Sequence, residues 1–325
     1  MRKSDVDIVS PAKADSDFII DVIKGLFSSP KFLKSKYFYD KRGDELFRKI
    51  MELPEYYLTR CELEILNNHK ATILSLLDPG EALKIVDLGA GDGFKTKILL
   101  NHFNKKGLNF TYVPVDISQN AINSILIDFR SNLPEINVAG ICKEYFSALK
   151  ELEKSCKKVL LFLGSNIGNF SNEETRIFLK EIANAMASED ILLIGFDLRK
   201  DPDVILAAYN DKAGVTKEFN LNLLHRINRE MKANFNPDLF EHSPYYDSES
   251  GEARSFLISK ISQSVEIPAL EMVVPFKEGE AIHTEISKKY SLKEIDLLAG
   301  ECGFQVVRNF FDSANYFTNS IWKIK

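Results

Sequence analysis

The sequence reads as an α/β protein: a doubly wound, largely parallel sheet with an antiparallel last strand, joined to a second, discontinuous α+β lobe. Three observations carry this. Strand-like and helix-like runs alternate from residue 84 to 199, which implies parallel strands joined by right-handed crossovers. The first of those strands runs into an acid and three alternate glycines, and the second ends in a carboxylate. After Asp197 the alternation gives way to helices and then to short alternating strands, before a helix and two final strands.

In chain order, residues 1–15 are polar and charged and read as disordered, and 16–75 as mostly helical. Strand-like runs follow at 84–89, 110–116, 136–142, 157–164 and 190–198, with helical patterns at 95–105, 118–132, 145–155 and 172–187 between them. Ser171 is a natural N-cap, with acids in the first turn where the helix dipole favours them. Residues 202–234 carry Phe219, Leu223, Leu224, Ile227 and Met231 at helical spacing. Residues 240–290 alternate between turn signals, as an antiparallel insert would. A helix at 291–301 and strands at 304–311 and 316–324 return to the sheet edge as a hairpin, one strand antiparallel to the rest. The expected division is 76–200 with 288–325 as the nucleotide-type domain, and 16–75 with 201–287 as the other lobe.

The most informative run is Lys84-Ile-Val-Asp-Leu-Gly-Ala-Gly-Asp-Gly93, followed by Phe110-Thr-Tyr-Val-Pro-Val-Asp116. Glycines allow a tight turn and close backbone approach to a ligand, and a distal acid can accept both ribose hydroxyl protons. A dinucleotide fingerprint is G-x-G-x-x-G, opening a helix toward a pyrophosphate. Here the pattern is D-x-G-x-G-x-G, and Phe94 stands where small residues would ease phosphate approach. That favours a nucleoside without phosphate, such as S-adenosylmethionine, over another nucleotide fold or a merely structural turn. Asp87, Gly89, Gly91 and Asp116 are the cofactor candidates on this reading. Open α/β sheets hold ligands at the carboxyl ends of their strands, and Asp87, Asp116, Glu144, Asn166, Asn169 and Asp197 all fall on that rim.

The 325 residues suffice for one large or two ordinary domains, and 45% hydrophobic with 27% charged residues is ordinary for a globular protein. A net charge of −5 argues against a nucleic-acid partner. The scattered Cys61, Cys142, Cys156 and Cys302 argue against a metal site or disulfide framework. A polar N-terminus, and no apolar run approaching about 18 residues, leads to the expectation of a cytoplasmic protein without membrane contact. None of the five histidines pairs with a recognisable nucleophile.

Other clusters leave two readings each. Tyr37, Tyr39, Tyr56 and Tyr57 flank two turns, either as amphipathic core residues or as a cage for a cationic ammonium or sulfonium. Asn166 and Asn169 in Leu163-Gly-Ser-Asn-Ile-Gly-Asn-Phe170 serve either as turn residues or as amide donors to a substrate carboxylate. Tyr209 sits at a helix end, an ordinary position in itself. In Thr284-Glu-Ile-Ser287, Glu285 and Ser287 share a strand face, either solvated or gripping a polar ring such as imidazole.

These segments carry a resemblance. The chain resembles, over nearly its whole length, the histidine-specific SAM-dependent methyltransferase family, the histidine Nα-methyltransferases of the ergothioneine pathway. Matching segments include Phe38-Tyr-Asp40, Leu53-Pro-Glu-Tyr-Tyr57, Asp87-Leu-Gly-Ala-Gly91, Leu163-Gly-Ser165, Ala213-Gly-Val-Thr216, Ile227-Asn-Arg-Glu230 and Thr284-Glu-Ile-Ser287. The resemblance implies a Class I, Rossmann-like SAM-dependent methyltransferase domain with a family-specific substrate lobe, acting as a monomer on a free amino acid. It implies S-adenosylmethionine contacts from Gly89, Lys95 and Asp116, and from Tyr56, and substrate contacts from Tyr39, Tyr56, Asn169 and Tyr209 around the α-amino and α-carboxylate groups. Tyr39 is the catalytic candidate, and Glu285 with Ser287 matches the pair that recognises the ring. Two departures stand out. Glu144-Tyr145 replaces an aspartate–phenylalanine pair near the adenine, and Ser255 falls where a histidine enzyme of the family has a methionine lining the side-chain pocket. A smaller residue there would admit a larger ring. The expected reaction is methylation of the α-amine of histidine up to the trimethylammonium. The alternatives are Nα-methylation of another aromatic amino acid such as tryptophan, and a cofactor-binding module without catalysis.

Overall fold

The computed structural model describes residues 16–77, 83–151 and 156–325. The disorder expected at 1–15 and the end of the helix expected at 145–155 lie outside the described residues. The described residues begin with helix α1 (Ser16–Leu26), a two-residue strand β1 (Lys31–Phe32), α2 (Lys41–Glu52) and α3 (Tyr57–Leu76). Asp40 caps α2 by accepting the Gly43 N–H at 2.8 Å.

The alternation follows: β2 (Leu83–Leu88), α4 (Thr96–Lys105), β3 (Phe110–Asp116), α5 (Gln119–Asn132), β4 (Asn137–Val138), β5 (Ile141–Cys142), α6 (Tyr145–Glu151), β6 (Lys158–Phe162), α7 (Asn172–Ala185) and β7 (Ile191–Asp197). The strand expected at 136–142 is two short pairings with β3. Between them Gly140 presses on α5, where a Cβ would stand 2.7 Å from Ile122. Ser171 caps α7 in a full capping box with Glu174.

Next come α8 (Pro202–Tyr209), α9 (Val215–Met231), β8 (Phe240–Asp247), β9 (Glu252–Ser259), β10 (Gln263–Ile267), β11 (Met272–Phe276) and β12 (Ala281–Lys288). The chain closes with α10 (Leu292–Glu301), β13 (Phe304–Phe311) and β14 (Phe317–Ile324).

The large sheet runs β13-β14-β7-β6-β2-β3-β4, with β5 also on β3. β14 is antiparallel to β7 and to β13, while β2, β3, β6 and β7 are parallel. This order, reversing direction from β2 outward with one antiparallel strand near the edge, is the Class I methyltransferase arrangement. β6 and β7 are buried along their whole length, as central strands covered by helices on both faces must be. A second sheet, β1-β12-β9-β8, with the β10-β11 hairpin beside it, shares its own apolar cluster with α1, α2 and α9. So α1 and α2 from before the alternating region and α9 from after it share a core with the second sheet, whereas α3 packs with the large sheet.

Candidate functional site

The carboxyl ends of β2, β3 and β6 open onto a cavity of about 850 Å³. Its floor is the glycine turn, lined by Gly89 and Gly91; these two and Gly93 behind them have φ of +76°, +57° and +68°, in the left-handed region that favours glycine. A Cβ on Gly89 would stand 2.6 Å from the Tyr145 hydroxyl and 2.9 Å from Asn166 Nδ2, whereas one on Gly91 would meet only open space. Gly91 thus leaves room in the cradle, and Gly89 lets two side chains close over it. Gly89→Ala is expected to weaken S-adenosylmethionine at least tenfold by calorimetry, because it adds about 1–3 kcal/mol of backbone strain and displaces both neighbours. Unchanged affinity would show that the turn does not shape the cofactor site.

Asp116 pins the same turn. Its Oδ2 accepts the Gly91 N–H at 3.0 Å and its Oδ1 the Ser118 N–H at 2.9 Å, and each oxygen keeps lone-pair capacity toward the cavity it lines. Burial raises its pKa against those two hydrogen bonds. Asp87 also lines the cavity, but its Oδ2 accepts from Thr96 at 2.6 Å and Tyr112 at 2.9 Å, tying the strand end to α4 and β3. Burial pushes it up to about 6. Glu144 stands at the exposed rim, 3.0 Å from Lys36. Tyr145 packs on Phe162, Phe170 and Phe178, so its hydroxyl, which a phenylalanine would lack, reaches back over Gly89.

Lys95 points its ammonium at Glu62 Oε2, 2.6 Å away. Glu62 is fully buried and also accepts the Gly164 N–H, at 2.9 and 3.0 Å, and Asn319 Nδ2 at 2.9 Å. The sequence reading missed Glu62. The available signal was a carboxylate on the apolar stripe Leu58, Cys61, Ile65, Leu66 of α3. Asp44 was missed too: α2 lays it against the cavity, where burial and then the charge of Asp116 push it up to about 6.

The tyrosine cluster divides. Tyr37 donates to Asp21 at 2.7 Å, and Tyr57 donates to buried Asp197 at 2.8 Å, so both are structural. Tyr39 and Tyr56 line the cavity with Phe47, their rings 5.6 and 6.2 Å from it. Asn169 lines the cavity from the short helical turn Asn166–Asn169. That turn follows Ser165, held at φ 58° with its hydroxyl accepting the Asp197 N–H at 3.0 Å. A serine in this region is strained, and such strain collects at functional sites.

Tyr209, Ser255, Glu285 and Ser287 do not line this cavity. They form an adjoining cluster in which Tyr209, Ser255 and Ser287 are buried and Glu285 is half-buried, close enough that the Glu285 carboxylate helps raise the phenols of Tyr39, Tyr56 and Tyr209, after burial itself. Cross-strand register brings Ser255 of β9 opposite Glu285 of β12, past a bulge between His283 and Glu285. Ser255 is fully buried and donates to Glu285 Oε2 at 3.2 Å. Burial pushes Glu285 up to about 7, against the Lys289 charge and that hydrogen bond. Under the cluster, Asp197 is shared by two cations, Lys200 and Lys289, neither of which the sequence reading singled out.

Comparison with known proteins finds a family and several relatives. A family model described as histidine-specific methyltransferase, SAM-dependent, matches residues 18–324. A histidine N-alpha-methyltransferase of Mycobacterium tuberculosis is 34% identical over 301 residues, covering 93% of this chain and 93% of its own. The ergothioneine biosynthesis protein 1 of Schizosaccharomyces pombe is 31% identical over 90% of this chain and 39% of that longer one. A 4-dimethylallyltryptophan N-methyltransferase of Claviceps purpurea is 26% identical over 84% of this chain and 85% of its own.

Proposed function

Because the chain belongs to the histidine-specific, SAM-dependent methyltransferase family, we propose that it methylates the α-amino group of a free amino acid, L-histidine, up to the trimethylammonium. The chain is an S-adenosylmethionine-dependent N-methyltransferase, and the glycine cradle with Asp116 fits that cofactor. When bound, the cofactor supplies a sulfonium methyl whose leaving group is a neutral thioether. Asp116 would accept from the ribose, Gly89 and Gly91 would allow close approach, Lys95 would face the amino-acid end, and Glu144 and Tyr145 would border the adenine.

The single observation that carries the substrate reading is the half-buried Glu285, paired with Ser255 and two residues from Ser287, next to the two tyrosines that line the cavity. A carboxylate acceptor with a hydroxyl two residues along the same strand face suits an imidazole, which presents an N–H and a lone pair. Tyr209 and Asn169 would hold the α-carboxylate. Tyr39 has its phenol raised well above the usual value by burial and then by Tyr56, Glu285, Tyr145 and Asp116. A phenol so raised stays neutral and makes a poor base. Its role in this reading is to orient the amine lone pair, the proton leaving to water. Positioning then supplies the acceleration, by holding the nucleophile close and aligned.

The test is mass spectrometry of products after incubation with S-adenosylmethionine and each of the twenty amino acids. Methylated histidine is expected, and its absence refutes the reading. Glu285→Gln is expected to weaken histidine about 10- to 100-fold, from loss of a charge-assisted hydrogen bond of about 1.5–3 kcal/mol, with cofactor affinity unchanged. A second reading, a larger aromatic amino acid such as tryptophan, is favoured by the small Ser255 beside Glu285, and the same panel decides it. In this proposal the protein works as a cytoplasmic monomer on a free small molecule and not on nucleic acid, which its net charge of −5 supports. Among the described residues no helix is long and apolar enough to cross a membrane.

A further inference from the structure

Lys289 lies one residue past β12 and is fully buried. Its ammonium stands 2.8 Å from Asp197 Oδ2, 2.7 Å from the Tyr209 hydroxyl and 2.9 Å from Ser287 Oγ. An ammonium has three N–H groups and no lone pair, so it donates in all three contacts. Each hydroxyl oxygen is therefore an acceptor toward Lys289, and its own O–H must point elsewhere. The local charge is also unbalanced, since Asp197 serves both Lys289 and Lys200. The surplus positive charge acts through space on Glu285.

We propose that Lys289 is a positioning residue for the amino-acid substrate, turning the Tyr209 and Ser287 hydroxyls toward it as donors and setting a positive charge beside the Glu285 acceptor. This rests on the reading that the Glu285 cluster holds the substrate ring. Its consequence is a choice of ring. A neutral imidazole offers a lone pair to Ser287 and an N–H to Glu285. An imidazolium meets the serine donor with a second N–H, and an indole has no ring lone pair to receive it.

The groups facing Glu285 limit what can titrate there: Ser255 from β9, Lys289, and the tyrosines Tyr39, Tyr56 and Tyr209, whose burial keeps them neutral. Removing the Lys289 charge therefore leaves Glu285 protonated to higher pH. Lys289→Met should still fold, because Asp197 keeps Lys200 and the Tyr57 hydroxyl as partners.

The experiment is calorimetric titration of L-histidine into protein saturated with S-adenosylhomocysteine, between pH 7.5 and 9, where the free ring is largely neutral, each variant read against the parent at the same pH because the α-amine of histidine also titrates toward the upper end. Lys289→Met should bind S-adenosylhomocysteine like the parent but lose histidine tenfold or more at pH 7.5. Binding should recover in part toward pH 9, and the double variant with Glu285→Gln should lose less than the product of the two single losses. If Lys289→Met binds histidine normally while Glu285→Gln does not, the proposal is overturned and the ring reading stands. If neither substitution matters, both fall. If Lys289→Met and Lys289→Gln both lose S-adenosylhomocysteine as well, the lysine supports the fold only and the proposal is overturned.

Discussion

Asp116→Ala is expected to remove measurable S-adenosylmethionine binding in a calorimetric titration. The substitution acts twice. It deletes the acceptor of the Gly91 and Ser118 N–H groups, so the turn loses both anchors. It also deletes the charged acceptor available to a ribose. Each hydrogen bond to a charged group contributes about 1.5–3 kcal/mol, so losing two to the ligand costs roughly 3–6 kcal/mol, a factor of about 10² to 10⁴ in affinity. Asp116→Asn separates the two effects, since its amide oxygen can still accept one backbone N–H. It should be intermediate. Alanine binding as tightly as the parent would remove the nucleoside assignment.

The largest effect on stability is expected from Asp197→Asn. The parent buries one carboxylate between two ammonium groups, with both partners almost wholly out of water. Burial opposes ionisation of Asp197, but Lys289 and Lys200 hold it below the usual carboxylate range. A depressed carboxylate stabilises the fold above its unfolded pKa, and that contribution disappears only as pH falls through the lower folded value. Asparagine removes it at every pH and leaves two buried cations without a counter-charge, at a cost of about 3–5 kcal/mol. For a chain of this size, that lowers Tm by roughly 5–10 °C in scanning calorimetry. Adding Lys289→Met should recover part of the loss by removing one cation. A Tm within a degree of the parent would mean that water or another group neutralises the pair.

Much of the fold was legible because it rests on local periodicity. The alternation from residue 84 to 199 set the parallel core, and the hairpin β13-β14 emerged from two strand-like runs after a helix. Ser171 was readable as a cap because capping is a short-range interaction. The site was less legible, because its members differ from structural residues only in their distant partners. Tyr56 and Tyr57 are adjacent in sequence, yet one lines the cavity and the other binds Asp197. Glu62, Asp44 and Lys289 look like ordinary charged residues of helices or strand ends until the fold places Lys95, Asp116 and Asp197 against them. Ser255 was singled out by resemblance alone, and only strand register shows that it faces Glu285.

Glu62 joins parts of the chain that the ribosome delivers at very different times. Its carboxylate meets Lys95 and Gly164 from the alternating region and Asn319 from β14, which is synthesised after every other described strand. A nascent chain that has emerged only through β13 has the whole glycine turn, yet it leaves this buried acid one donor short. The lysine that lines the cavity therefore acquires its fully supported anchor late in synthesis, when β14 slots in beside β7.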